Sequence, residues 1–142
     1  MRKGKYEERT KNLTRSNNYR EKYFESNKGY AIPTRPQLTV YFCPYCGKAM
    51  FDKKKIAVDH IHSVRRVQYT KKLRERFKAL PDGVNDLSNL VACCPSCNRR
   101  KGKKGGLWAF RAKYGLYFMP VVRIVFFAGL IMFFIWAATS LM

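Results

Sequence analysis

The sequence predicts a small α+β domain pinned by two cysteine pairs and followed by one apolar helix of membrane-spanning length. Three observations predict it. Cysteines recur as Cys43/Cys46 and Cys94/Cys97. Between them lie two short apolar runs, residues 56–61 (IAVDHI) and 85–92 (NDLSNLVA), and after them a basic helical segment, residues 95–104. Finally, residues 124–142 hold 19 residues without a charge.

The charge balance bears on partners. Lys plus Arg is 29 against 9 Asp plus Glu, a formal net charge of +20. No acidic residue follows Asp86. Such a chain attracts nucleic acid or anionic lipid, and says nothing by itself about the fold. Residues 1–30 contain no apolar run of signal-peptide length. They read as a basic arm, either solvated or a helix that tracks phosphates.

Residues 31–42 open with proline punctuation and close in a strand-like run, and residues 43–47 (CPYCG) form a tight knuckle. In residues 64–80, Tyr69, Leu73, Phe77 and Leu80 mark one face of a helix. Pro81, Asp82 and Gly83 stop it. The second run, 85–92, reads as a loop entering a strand. The helix over 95–104 ends at Gly105 and Gly106.

Four thiolates in two Cys-x-x-Cys pairs suit tetrahedral Zn2+. Cys43, Cys46, Cys94 and Cys97 are therefore the structural zinc ligands predicted here, and they favour a reducing compartment. Cys93 competes with Cys94 for the fourth place. The apolar residues before it, Leu90, Val91 and Ala92, make it a buried strand end.

Interlocked with the cysteines stand Asp59, His60, Asn89 and Asn98. Cutting a phosphodiester needs an activated water and charge stabilisation at phosphorus. A histidine suits the first task, and oxygen ligands such as Asp and Asn suit a hard ion, Mg2+. Each residue taken singly is ordinary surface polarity; their order and interlock carry the reading. VDHI at 58–61, NDLSNL at 85–90 and CPSCNRRK at 94–101 resemble the HNH endonucleases with the ββα-metal fold, over about residues 41–104. The resemblance implies His60 as general base, Asn89 as the residue orienting it, and Asp59 and Asn98 as ligands of a catalytic Mg2+. Many members carry His where Asn98 stands, and the link over residues 63–80 is longer than usual. His62 shares a face with His60 if the strand continues through it.

Arg99, Arg100, Lys101, Lys103, Lys104, Arg65 and Arg66 are the predicted nucleic-acid contacts. They offer phosphate binding without sequence reading. The implied partner is DNA, with no small-molecule cofactor. Residues 107–119 read as an aromatic, amphipathic juxtamembrane segment. Residues 120–142 read as a transmembrane helix that leaves the nuclease part, 31–106 with its helical insert 64–80, in the cytoplasm. A core or dimerisation helix is the competing reading. It requires more apolar cover than the rest of the chain offers. The functional alternative is a catalytically inactive, zinc-stapled module that holds nucleic acid at a membrane.

Overall fold

The structure is a computed structural model, and it describes residue 10 and residues 12–140. In chain order the elements are α1 (Tyr19–Ser26), β1 (Tyr30–Ile32), β2 (Arg35–Phe42), β3 (Ala49–Met50), β4 (Ala57–His60), α2 (Val64–Tyr69), α3 (Lys71–Lys78), β5 (Leu90–Cys93), α4 (Pro95–Lys101) and α5 (Leu107–Ser140). Short 3-10 turns precede β4 and β5.

Two antiparallel units build the domain. β1, β2 and β3 form a three-stranded sheet, and β4 and β5 form a two-stranded one. In the second, Asp59 pairs with Val91 and His60 with Leu90. α4 follows β5 at once and packs on β4, so β4, β5 and α4 make a ββα unit. Pro95 stands in the first turn of α4, where its missing N–H is no loss. Gly102, at φ +48°, ends the helix, its N–H bonded to the Asn98 carbonyl at 3.0 Å. The helix is thus shorter than predicted from residues 95–104.

The main core joins both sheets through Tyr41, Tyr45, Ile56, Val58, Leu90 and Val91. A second cluster of Leu13, Val67, Phe77 and Val84 lies under α2 and α3. The predicted single helix over 64–80 is two helices, because Thr70 is extended (φ −102°, ψ 112°). That break turns Tyr69 outward, where Arg65 lies over its ring, and makes Val67 the buried residue of α2.

The basic-arm expectation for residues 1–30 covers residues 1–9 and 11, which lie outside the described residues. Most of the remainder packs on the domain. Leu13 fills the second core, and Tyr23 of α1 enters the main core, its hydroxyl accepting the Ala92 N–H at 3.0 Å. Arg20 donates to the carbonyls of Ile56 and Lys53, and Lys22 pairs with Asp82. Burying a Leu side chain contributes about 1.5–3 kcal/mol, which holds such a segment in place.

At the other end, α5 runs unbroken through Pro120, where the sequence predicts a boundary between a juxtamembrane segment and a separate span. Its first third docks on the knuckle. Ala112 and Gly115 are buried, and Trp108 meets the Tyr45 ring at 5.2 Å. A Cβ on Gly115 would strike the Pro44 carbonyl, so only glycine permits this approach. Trp108, within the segment 107–119 read as juxtamembrane, is thus a packing residue. The remainder of α5 is exposed, and the helix is long and apolar enough to cross a membrane by length and composition.

Candidate functional site

The knuckle at residues 43–47 turns because two amides converge on one carbonyl. Gly47 N–H and Cys46 N–H reach the Cys43 carbonyl at 2.7 and 3.3 Å, and Gly47 adopts φ +69°. Cys94 and Cys97 come from the start of α4. The sulfurs of Cys43, Cys46, Cys94 and Cys97 all lie within 4.8 Å of one another. A Zn–S bond of about 2.3 Å makes a tetrahedral edge of about 3.8 Å, and Cys46 and Cys94 Sγ are 3.9 Å apart. Burial pushes the Cys43 thiol up to about 12 and raises Cys97 as well. Thiolates there require a cation, so the donor set fits zinc. Cys93 lies outside the cluster, buried at the end of β5.

His60 ends β4 and Asn89 holds the loop beyond it. The Asn89 Oδ1 accepts the His62 N–H at 2.8 Å, and its Nδ2 donates to the carbonyls of Val84 (2.8 Å) and His62 (3.2 Å). The Asn89 carbonyl accepts the Ile61 N–H at 2.7 Å. Asn89 therefore touches the backbone beside His60 and not the ring. His62 does not share the face of His60. The chain bends after β4, and its ring packs on Phe77 at 5.8 Å.

The His60 ring is 2% exposed. Tyr19 of α1 lies against it, centroids 5.0 Å apart, and Nε2 is 3.2 Å from Asn85 Oδ1. Burial, assisted by Arg15 and Lys101, holds the His60 pKa below its ordinary value, against the opposing influence of Asn85 and Asp59. The ring is neutral near pH 7, as a proton acceptor must be. Neither Asn85 nor Tyr19 carries a spacing signal in the sequence.

Asp59, on the opposite face of β4, does not stand free for a metal. Lys101 Nζ lies 3.1 Å from Oδ1 and 3.0 Å from Oδ2, and the Tyr45 hydroxyl donates to Oδ2 at 2.7 Å. Lys101 also donates to the His60 carbonyl at 2.6 Å. The buried carboxylate is neutralised from within, so the predicted Asp59/Asn98 ligand pair does not fit Mg2+ in this arrangement. Asn98, half-buried on α4, has no side-chain hydrogen bond among the described residues and is the oxygen donor left.

Lys101 is likewise not a nucleic-acid contact. It is 0% exposed, because the fourth residue after Cys97 on a helix faces the same way, inward. Arg99, Arg100, Lys103, Lys104, Arg65 and Arg66 are exposed.

Residues 43–104, a little under half the chain, match the family model described as HNH endonuclease. The comparisons with curated proteins and with solved structures return no match. The matched stretch begins at the first knuckle cysteine and ends just after α4. It therefore takes in the cysteine cluster, His60, Asn89 and Asn98 together.

Proposed function

We propose, from the match of residues 43–104 to the HNH endonuclease family model, that this chain hydrolyses DNA phosphodiesters at a membrane, with His60 as the general base. One observation carries the reading: a buried, neutral imidazole ends a strand whose following loop is tied down by Asn89 and whose backbone is gripped by Lys101 from α4. The flanking exposed bases, Arg99, Arg100, Lys103 and Lys104 with Arg65 and Arg66, supply phosphate affinity without base reading, so weak sequence preference follows. One such site per chain nicks one strand.

A divalent ion, Mg2+ for oxygen ligands, supplies charge stabilisation at the phosphate when bound. With Asp59 engaged by Lys101, we assign Asn98, which has no side-chain hydrogen bond among the described residues, as the residue that would hold it. Zn2+ at the four cysteines joins the knuckle to α4 and so fixes α4 against β4.

The apolar part of α5 serves as a membrane anchor, with the basic domain on the cytoplasmic side. Arg123 sits at the edge of that span, its guanidinium over Phe127 and reaching the Cys46 carbonyl.

The burial of His60 under Tyr19 favours a second reading, a zinc-stapled domain that binds nucleic acid at a membrane without cutting it. One assay separates the two. The full chain in detergent is incubated with supercoiled plasmid and Mg2+, beside its His60→Ala variant. Nicking by the wild type alone supports the nuclease. Salt-sensitive binding by both proteins, with cleavage by neither, supports the binding module.

A further inference from the structure

The side chain of Asn85 is fixed by two backbone groups whose hydrogen-bonding roles are not interchangeable. A carbonyl only accepts and an amide N–H only donates. The Thr14 carbonyl lies 2.7 Å from one end of the Asn85 amide, which must be Nδ2. The Ser16 N–H lies 3.1 Å from the other end, which must be Oδ1. The usual ambiguity of an amide's orientation is therefore removed by its neighbours.

That assignment reaches the histidine. Oδ1 faces His60 Nε2 at 3.2 Å, and an amide oxygen can only accept. A neutral imidazole has one N–H and one lone pair. The N–H must therefore be on Nε2 and the lone pair on Nδ1. Among the described residues, the buried His60 Nδ1 has no hydrogen-bond partner. Leaving such an atom unsatisfied is unfavourable.

We propose that Asn85 is a positioning residue that sets the tautomer of His60, so that Nδ1 is the atom that takes a proton. Residues 12–19 belong to the same device. Thr14 and Ser16 orient Asn85, Val84 N–H bonds to the Asn12 carbonyl at 3.1 Å, and the Tyr19 ring backs the imidazole. The segment before the cysteine domain thereby reaches the chemistry of a residue more than forty positions later. Its catalytic consequence rests on the nuclease reading. A water proton passes to Nδ1, the water oxygen bonds phosphorus, and the bond from phosphorus to the leaving 3′ oxygen breaks, that oxygen taking a proton from solvent.

The test reads the tautomer directly. The full chain, labelled with 15N at histidine and held in detergent micelles, is observed by long-range 1H–15N correlation at about pH 8.5, where imidazole is neutral. Only two histidines are present, and the His60→Gln variant assigns the signals. Wild type shows the unprotonated, pyridine-type nitrogen at Nδ1 of His60. Asn85→Asp keeps an acceptor and keeps that pattern. Asn85→Leu loses it and gives averaged tautomers, and kcat for nicking falls about tenfold or more with KM for DNA unchanged. A pyridine-type Nε2 in the wild type, or an unchanged tautomer in a folded Asn85→Leu, overturns the proposal. A wild type with its lone pair on Nδ1 that cuts no DNA upholds the tautomer and sinks the nuclease reading instead.

Discussion

The Lys101 ammonium lies 3.0–3.1 Å from both carboxylate oxygens of Asp59 and 2.6 Å from the carbonyl of His60, with no part of its side chain in solvent. One ion pair thus ties α4 to the strand that carries the candidate base, and through Tyr45 to the zinc knuckle. Removing one partner of a buried pair leaves the other charge uncompensated, at a cost of about 3–5 kcal/mol. Lys101→Met is therefore expected to lower the denaturant midpoint sharply. Lys101→Met with Asp59→Leu is expected to recover most of the loss, because no lone charge remains. A single variant as stable as the wild type contradicts the pairing.

Acid should weaken the fold through His60. Its pKa is held below the ordinary 6.5 in the folded state by burial. Between the two values the unfolded chain binds more protons, so stability rises with pH there and is lost as pH falls below about 6.5. The wild type should lose denaturation free energy from pH 7 to pH 5, and His60→Gln should lose less. Tyr19→Ala exposes the ring and should raise the His60 pKa, read by NMR titration.

Zinc content should distinguish neighbouring cysteines. Cys94 contributes a sulfur to the cluster and Cys93 does not. Cys94→Ser should abolish stoichiometric zinc and, with it, cooperative unfolding. Cys93→Ala should keep one zinc per chain and lose only packing energy. Metal analysis of the purified variants reads both.

The docking of α5 on the knuckle should depend on one hydrogen atom. A methyl group on Gly115 meets the Pro44 backbone, which cannot yield as a side chain would. Gly115→Ala should cost about 1–3 kcal/mol of overpacking, whereas Gly129→Ala, with open space around it, should leave the melting temperature unchanged.

Much of the site is legible in the sequence because metal ligands and a hairpin impose spacing. The two Cys-x-x-Cys pairs, the β-run around Asp59 and His60, and the run containing Asn89 each announce a local geometry, and the structure places them in a ββα unit and the cysteine knuckle beside it. Lys101 was readable too. Four residues after Cys97, it must share the inward face of α4, but its basic neighbours give it the look of surface charge. Other features left no pattern. Leu13 and Tyr23 are isolated apolar residues in a polar stretch, so no periodicity marks their burial. The break at Thr70 is a single extended residue within good helix-forming neighbours. Asn85 meets Thr14, Ser16 and His60 only through the tertiary fold, which brings residues about seventy positions apart into contact.

The measurement closest to the central claim is single-turnover nicking of supercoiled plasmid by the full chain with Mg2+, compared with His60→Ala at matched DNA occupancy. The account predicts cleavage by the wild type and a loss of about 100-fold or more in the variant, the scale of general-base catalysis. Equal rates for the two proteins would contradict it.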